Sequence, residues 1–333
     1  DATKLIKPNV PLVINGYSGS VYSNPDPNTV SIYYQRKLEE DRHRQDLGKF
    51  VKLPTETEDG RKFKISSNIN FLHEVDSSLL NGAEGSGLVR TEHLMFENHD
   101  FPDEEKQYQW YKELAQRMYP HPVTIRAFDI GSDKYLQGMP RREDNPALGF
   151  RGIRFLLSRK DIFRTQIKAV LRASKNGNVK FMLPMISNLE EMKESLKLIE
   201  DCKEELGNSE KSFDNNLPVG IMIETPSSVM IADELAAVSD FFSIGTNDLT
   251  QYVLAADRGN ELVSEYFDAF HPGVLRMIKM AADAAKRNKL KISVCGELAS
   301  HSAATAILVG FGIDELSVPP SVVLELKKSI RSM

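Results

Sequence analysis

Cysteine is nearly absent from this chain of 333 residues, which holds only Cys202 and Cys295. Two thiols cannot build a disulfide framework, and nothing favours pairing them, so a reducing, cytoplasmic setting is the expectation. Cys202 falls in the charged stretch EMKESLKLIEDCKEEL, where an exposed, inert thiol is expected. No apolar run approaches the roughly 18 residues that span a bilayer. The opening residues, DATKLIKPNVPLV, lack the charged-then-apolar layout of a signal peptide and lack a starting Met. They are expected to be a cut end inside a longer protein. Nor is there charge of one sign: 42 basic against 47 acidic residues leave a formal −5. That balance offers no electrostatic case for nucleic acid or an anionic membrane.

What is present is a repeated pattern. Residues 1 to about 30 carry two short β-type runs, VPLVING and SGSVYSN, broken by glycines and prolines. The apolar spacing then predicts a helix over 30–47, charged enough to be an exposed linker. A turn-rich PTETEDG at 54–60 follows, so the boundary is placed between 48 and 60, with segments 1–50 and 51–333. Beyond it, short apolar runs recur, each with a polar tip: KISSNIN, GSGLVR, VTIRAFD, VKFMLPM, VGIMIE, FFSIGTND, ISVCGE and IDELSV. Amphipathic stretches lie between most of them. Strands alternating with helices predict a parallel sheet. Eight strands in roughly 260 residues match an α/β fold of the (β/α)8 TIM-barrel type, with an open doubly wound sheet as the competitor.

In such a barrel the carboxyl ends of the strands build the site. Those ends carry Asn70, Arg90, Arg126 with Asp129, Met185, Glu224, Asn247 with Asp248, and Cys295 with Glu297. Arg90 and Arg126 offer planar donor forks suited to phosphate or carboxylate, and Arg258 adds a third. Each alone reads as a structural ion-pair arginine; three at one mouth point to an anion. Glu224 and Asp248 end neighbouring strands with no Cys or His pair beside them, which suits an oxygen-liganded ion such as Mg2+. A general acid/base pair, as in glycosidases, is the alternative, and the arginines tell against a neutral sugar. Asp248 also reads as a helix N-cap after a strand that finishes on Asn-Asp. Cys295, placed among cations, is expected to have a lowered pKa and to act as acid, base or nucleophile; the bland reading is a small buried hydrophobe. The residues alone reach a Mg2+-dependent site for a small phosphorylated carboxylic acid.

Several motifs in order then carry a resemblance: GSGLVRTEHLMF, VTIRAFDIGSDK, NPALGFRGIR, GIMIETPSS, SIGTNDLTQY, ADRGNELVS and VCGELA. Over residues 60 to 333 the chain resembles the phosphoenolpyruvate (PEP)-binding barrel of the PEP-utilising enzymes, most closely that of Enzyme I of the bacterial sugar phosphotransferase system. The resemblance implies that Arg90, Arg126 and Arg258 hold the phosphate of PEP, helped by Asn247, and that Arg151 lines the site. It implies Glu224 and Asp248 as Mg2+ ligands, with Asp248 also facing substrate, and Cys295 as the acid that protonates the enolate carbon to give pyruvate. It further implies a homodimer, a swivelling phosphohistidine domain whose tail and linker helix are residues 1–50, and onward transfer to the phosphocarrier protein HPr. None of the 7 histidines sits in that domain's Gly-Gly-x-x-Ser/Thr-His motif, so this chain alone is not expected to reach HPr. The chain departs from the family pattern at Ser86, Ser132, ELASHSAAT and Pro319-Pro320. The same barrel in pyruvate phosphate dikinase or PEP synthase is the nearest rival, and a non-catalytic dimerisation homologue is the rival of a different class.

Overall fold

The computed structural model describes residues 2–16, 18–96, 101–131 and 143–333, so the departure at Ser132 lies outside the described residues. The chain divides into two units, Asp1–Lys52 and Leu53–Met333. In the first, strands β1 (Leu12–Asn15) and β2 (Ser20–Ser23) form an antiparallel hairpin. A helix, Pro27–Leu47, follows, and Leu47 is its one buried residue. It starts earlier than the apolar spacing predicted because Asp26 caps it. The Asp26 carboxylate accepts from the amides of Asn28 (2.9 Å) and Thr29 (3.1 Å), and Pro27 fills the first position. A side-chain cap and a proline with preset φ start a helix whatever the hydrophobic phase.

The second unit is a closed parallel barrel of β3 (Lys64–Ile69), β4 (Ser86–Val89), β5 (Val123–Arg126), β6 (Val179–Leu183), β7 (Val219–Ile223), β8 (Phe241–Ile244), β9 (Lys291–Val294) and β10 (Glu315–Val318). The doubly wound competitor is thereby excluded. β10 closes on β3 with Glu315 opposite Lys64. Several strands stop short of the polar tips. β8 ends at Ile244, Gly245 takes the helix N-cap, and Asn247 and Asp248 lie in the first turn of the helix Thr246–Leu254. Asp248 therefore belongs to the helix rather than to the strand, and the N-cap reading is replaced.

Side chains alternate along each strand between the helices and the barrel interior. On β7, Val219, Ile221 and Ile223 join the outer core while Met222 faces inward. Inside, Leu88, Met182, Met222, Phe241 and Cys295 form one apolar layer. Outside, the helix Lys160–Ala173 buries Ile162, Phe163, Ile167, Val170 and Leu171, spaced to share one face. Each contributes roughly 1.5–3 kcal/mol by leaving water. The helix Leu189–Asn208 starts at a capping box of Asn188 and Glu191. It buries Met192, Ser195, Ile199, Cys202 and Leu206, so Cys202 is fully buried rather than exposed. Its place on the three-to-four-residue stripe decides its burial; the charge of its neighbours does not.

One buried polar residue of the outer layer reaches towards the mouth. Gln166 donates to Tyr111 Oη (3.0 Å) and Thr91 Oγ1 (3.3 Å), and accepts from the Phe128 amide (3.0 Å). Thr91 in turn donates to the Arg126 carbonyl (3.1 Å). The loop after β5 is held amide by amide: Ala127 on the Met182 carbonyl, Phe128 on Gln166 and Asp129 on Glu92. A buried loop with its amides paired holds its side chains in place.

Candidate functional site

A cavity of about 450 Å3 opens at the carboxyl ends of the strands. Arg90, Arg126, Arg151, Glu224, Asn247, Asp248, Arg258 and Cys295 all line it. The tertiary structure thus brings these eight together with Asp129, whereas Asn70, Met185 and Glu297, also at strand ends in the sequence, do not line this cavity. Among the described residues, no histidine lines it.

The cations fall into two kinds. Arg126, at the end of β5, gives Nη2 to Glu92 Oε1 (2.9 Å) and Nη1 to Asp129 Oδ2 (3.2 Å). Arg151 takes both oxygens of Asp129, with Nε at 3.2 Å and Nη2 at 2.7 Å, while Nη1 reaches Asp248 Oδ1 at 3.0 Å. Glu92, Arg126, Asp129, Arg151 and Asp248 form one alternating chain of charge. Each member is held by the next, so the carboxylates hold the two guanidiniums charged despite burial. Arg90 differs. Its side chain donates to Asn70 Oδ1 at 3.1 Å, and it makes no ion pair among the described residues. Burial, then repulsion from Arg126, pulls its pKa below the usual arginine value. Arg258 lies on the turn after the helix Thr246–Leu254; its amide donates to Gln251 Oε1 (3.1 Å), its side chain is exposed, and it too makes no ion pair among the described residues.

Glu224 is the strained member of the acidic set. Its Oε1 accepts from the Met185 amide at 2.7 Å, and its Oε2 is buried with no hydrogen-bond partner. Burial, then the charges of Asp248 and Asp129, pushes its carboxyl up to about 8, although Arg126 and Arg151 pull the other way. Gly245 makes the room: a Cβ there would sit 2.6 Å from Glu224 Oε2. An unpartnered buried carboxylate oxygen beside two further carboxylates fits a divalent cation, which would relieve the repulsion. Among the described residues no three His, Cys, Asp or Glu side chains form a complete cage. Two carboxylates with water and substrate oxygens are the usual shell of Mg2+, so the donor set fits that ion.

Cys295 departs from the expectation of a lowered pKa. Burial pushes its thiol up to about 11, outweighing Arg126 and Arg90. The thiol sits against Leu88, Met182, Met222 and Phe241. Arg126 is already neutralised by Glu92 and Asp129, so little of its field remains to favour a thiolate. A group held protonated is suited to donate a proton rather than to attack. Asn247 lines the cavity with its amide engaged, Nδ2 donating to Glu297 Oε1 (3.1 Å) and Oδ1 accepting from the Glu297 amide (2.9 Å). Glu92 was missed from sequence. It follows Arg90-Thr91 directly, but only the fold shows that it turns to Arg126 and to the Asp129 amide.

A family model described as PEP-utilising enzyme, PEP-binding domain matches residues 44–333. A phosphoenolpyruvate-protein phosphotransferase from Haemophilus influenzae is 41% identical over 332 residues, covering 99% of this chain and 58% of that protein. The protein of the same name from Bacillus subtilis is 39% identical over 335 residues, covering 100% of this chain and 58% of that protein. The chain therefore spans less than two thirds of the length of these relatives. Among solved structures, a citrate lyase from Burkholderia xenovorans aligns with TM-score 0.48 at 15% identity, covering 84% of this chain and 80% of that one, a likeness too loose to carry an argument. Among the described residues, no helix is long and apolar enough to cross a membrane.

Proposed function

Since the chain belongs to the PEP-binding domain family of the PEP-utilising enzymes, we propose that its barrel binds PEP with Mg2+ and releases the phosphoryl group to a histidine carried on another domain. The observation that carries this reading is the pair of guanidiniums, Arg90 and Arg258, that face the cavity without a carboxylate partner among the described residues. A phosphate supplies the counter-charge they lack. Arg126 and Arg151 are already neutralised by carboxylates, so they act as fixed donors oriented by Glu92, Asp129 and Asp248. Asn247 adds an amide at the helix start. Glu224 and Asp248 would hold the metal ion, which would neutralise charge on the substrate oxygens. Ionising Glu224 is part of that binding, because the free carboxyl keeps its proton to about pH 8.

As the phosphorus–oxygen bond breaks, charge develops on the enolate oxygen. The arginine cluster is set before the reaction and stabilises that charge without reorganising. Cys295, protonated and buried beneath the cavity, then delivers its proton to the enolate carbon and gives pyruvate; the reverse reaction takes the same proton back. The phosphoryl acceptor is then a histidine brought in from outside the barrel. In the whole protein that acceptor is a phosphohistidine domain, with HPr as the onward partner, and the barrel pairs as a homodimer in a cytoplasmic setting. The relatives' own names support the phosphotransferase over the dikinase.

Calorimetric titration of PEP with and without Mg2+ tests the reading. Heat of binding is expected only with the ion. A folded barrel that gives no heat in either case would favour the non-catalytic homologue. Labelled phosphate reaching HPr from PEP through this chain alone would refute the external acceptor.

A further inference from the structure

The opposite mouth of the barrel holds a second cavity, of about 300 Å3. The strand alternation that aims Arg126 at the upper site places Thr124 two residues earlier at the lower one, and β6 contributes Lys180 below Met182. Small residues leave the space. At Gly87, for example, a Cβ would lie 2.6 Å from the Ser317 Cβ and 3.1 Å from Glu315 Oε1. Lys62, Lys64, Lys180 and Lys291 line this cavity against Asp314 and Glu315, an excess of two positive charges in a chain whose formal charge is −5. Lys291 is paired with Asp314 at 2.8 Å, and Lys64 stands 3.9 Å from Glu315. Lys180 and Lys62 make no ion pair among the described residues. Lys180 is half-buried, with Nζ 5.2 Å from the centre of the Phe241 ring. Burial holds its ammonium below the ordinary lysine value.

The amino-terminal face of such a barrel ordinarily serves stability. A half-buried ammonium with no ion pair does the opposite, since the attraction of Glu315 does not offset its burial and partial burial of a charge costs free energy. The lower cavity is also closed off from the upper one. Phe241, which lines it, packs in the apolar layer with Leu88, Met222 and Cys295, and those three line the upper cavity. We propose that the lower mouth is a separate binding site for a small dianion, whose charge Lys180 and Lys62 complete and whose body rests on Phe63 and Phe241. A phosphate monoester and a dicarboxylate share that chemistry.

The test reads Lys180 directly, so binding at the upper mouth does not register. The full chain is acetylated under limiting reagent, and the labelling rate of Lys180 is followed by peptide mass spectrometry against phenyl phosphate, phthalate, and potassium chloride at matched ionic strength. Saturable protection is expected, roughly fivefold or more below ~10 mM of dianion, an affinity typical of a few charged contacts. Lys62→Gln, at an exposed position, should raise the half-protecting concentration by roughly tenfold, which is the loss of one charge-assisted contact. Arg90→Gln, at the upper mouth, should leave protection unchanged. Protection by phenyl phosphate alone identifies a phosphate monoester, and protection by phthalate alone a dicarboxylate. No protection by either, equal protection by chloride, or protection abolished by Arg90→Gln would overturn the site.

Discussion

Replacing Glu224 with Gln should make the metal-free protein more stable, by an amount that grows from nothing near pH 4.5 to its full size near pH 8. A carboxyl whose folded pKa is raised holds its proton more tightly in the folded chain than in the unfolded one. Its contribution to stability is therefore complete below the usual 4.5 and is lost progressively as the pH rises from there through about 8. With each pH unit worth ~1.4 kcal/mol, ionising this buried group takes about 4 kcal/mol from the folded state by pH 8. Gln keeps the acceptor for the Met185 amide and places neutral N–H donors where Oε2 has no partner. At roughly 2–4 °C per kcal/mol for a domain of this size, Glu224→Gln should melt some 8–15 °C above wild type at pH 8. The two should melt together near pH 4.5. Thermal unfolding followed by circular dichroism in chelator provides the comparison. Adding Mg2+ should then stabilise wild type and not the variant, and calorimetry in buffers of different ionisation enthalpy should show close to one proton released per ion at neutral pH. A variant no more stable than wild type at pH 8, or a gap that persists at pH 4.5, would refute the strained-carboxylate argument.

Three further outcomes follow from the same geometry. Arg90→Gln should weaken PEP by roughly 10–100-fold, about 1.4–2.8 kcal/mol, with little change in melting temperature, because its side chain is held by a neutral amide, Asn70; unchanged affinity in calorimetry would return Arg90 to a structural role. Cys295→Ser should slow proton exchange at the methyl group of pyruvate by roughly 10²–10⁴-fold while PEP still binds. In wild type that exchange should not decline between pH 7 and 9 on account of this thiol, whose pKa is about 11. Gln166→Leu strands the Phe128 amide and should cost about 1–3 kcal/mol in urea unfolding; because Asp129 is the next residue, PEP affinity should fall with it, and a variant of full stability would contradict the account of that loop.

The barrel was legible because its determinants are local. Eight apolar runs with polar tips state a strand rhythm by themselves, and the polar tips named the residues of one mouth. Arg90, Arg126, Glu224 and Cys295 could be listed without coordinates because parallel strands deliver their carboxyl ends to one place. What could not be read was how those groups bias one another. Electrostatic neighbours are set by distance through space, and Glu92, Asp129 and Asp248 reach their arginines across different strands and loops. Burial of the Cys295 thiol outweighs the pull of Arg126 and Arg90, so the sign of the expected shift reversed. Cys202 shows the same limit on a smaller scale, since helical phase buries it amid charged neighbours. The lysines of the lower mouth were invisible for a related reason. Lys64, Lys180 and Lys291 lie on three separate strands, each an ordinary solvated charge in the sequence, and only closure of the barrel turns them inward to a common cavity.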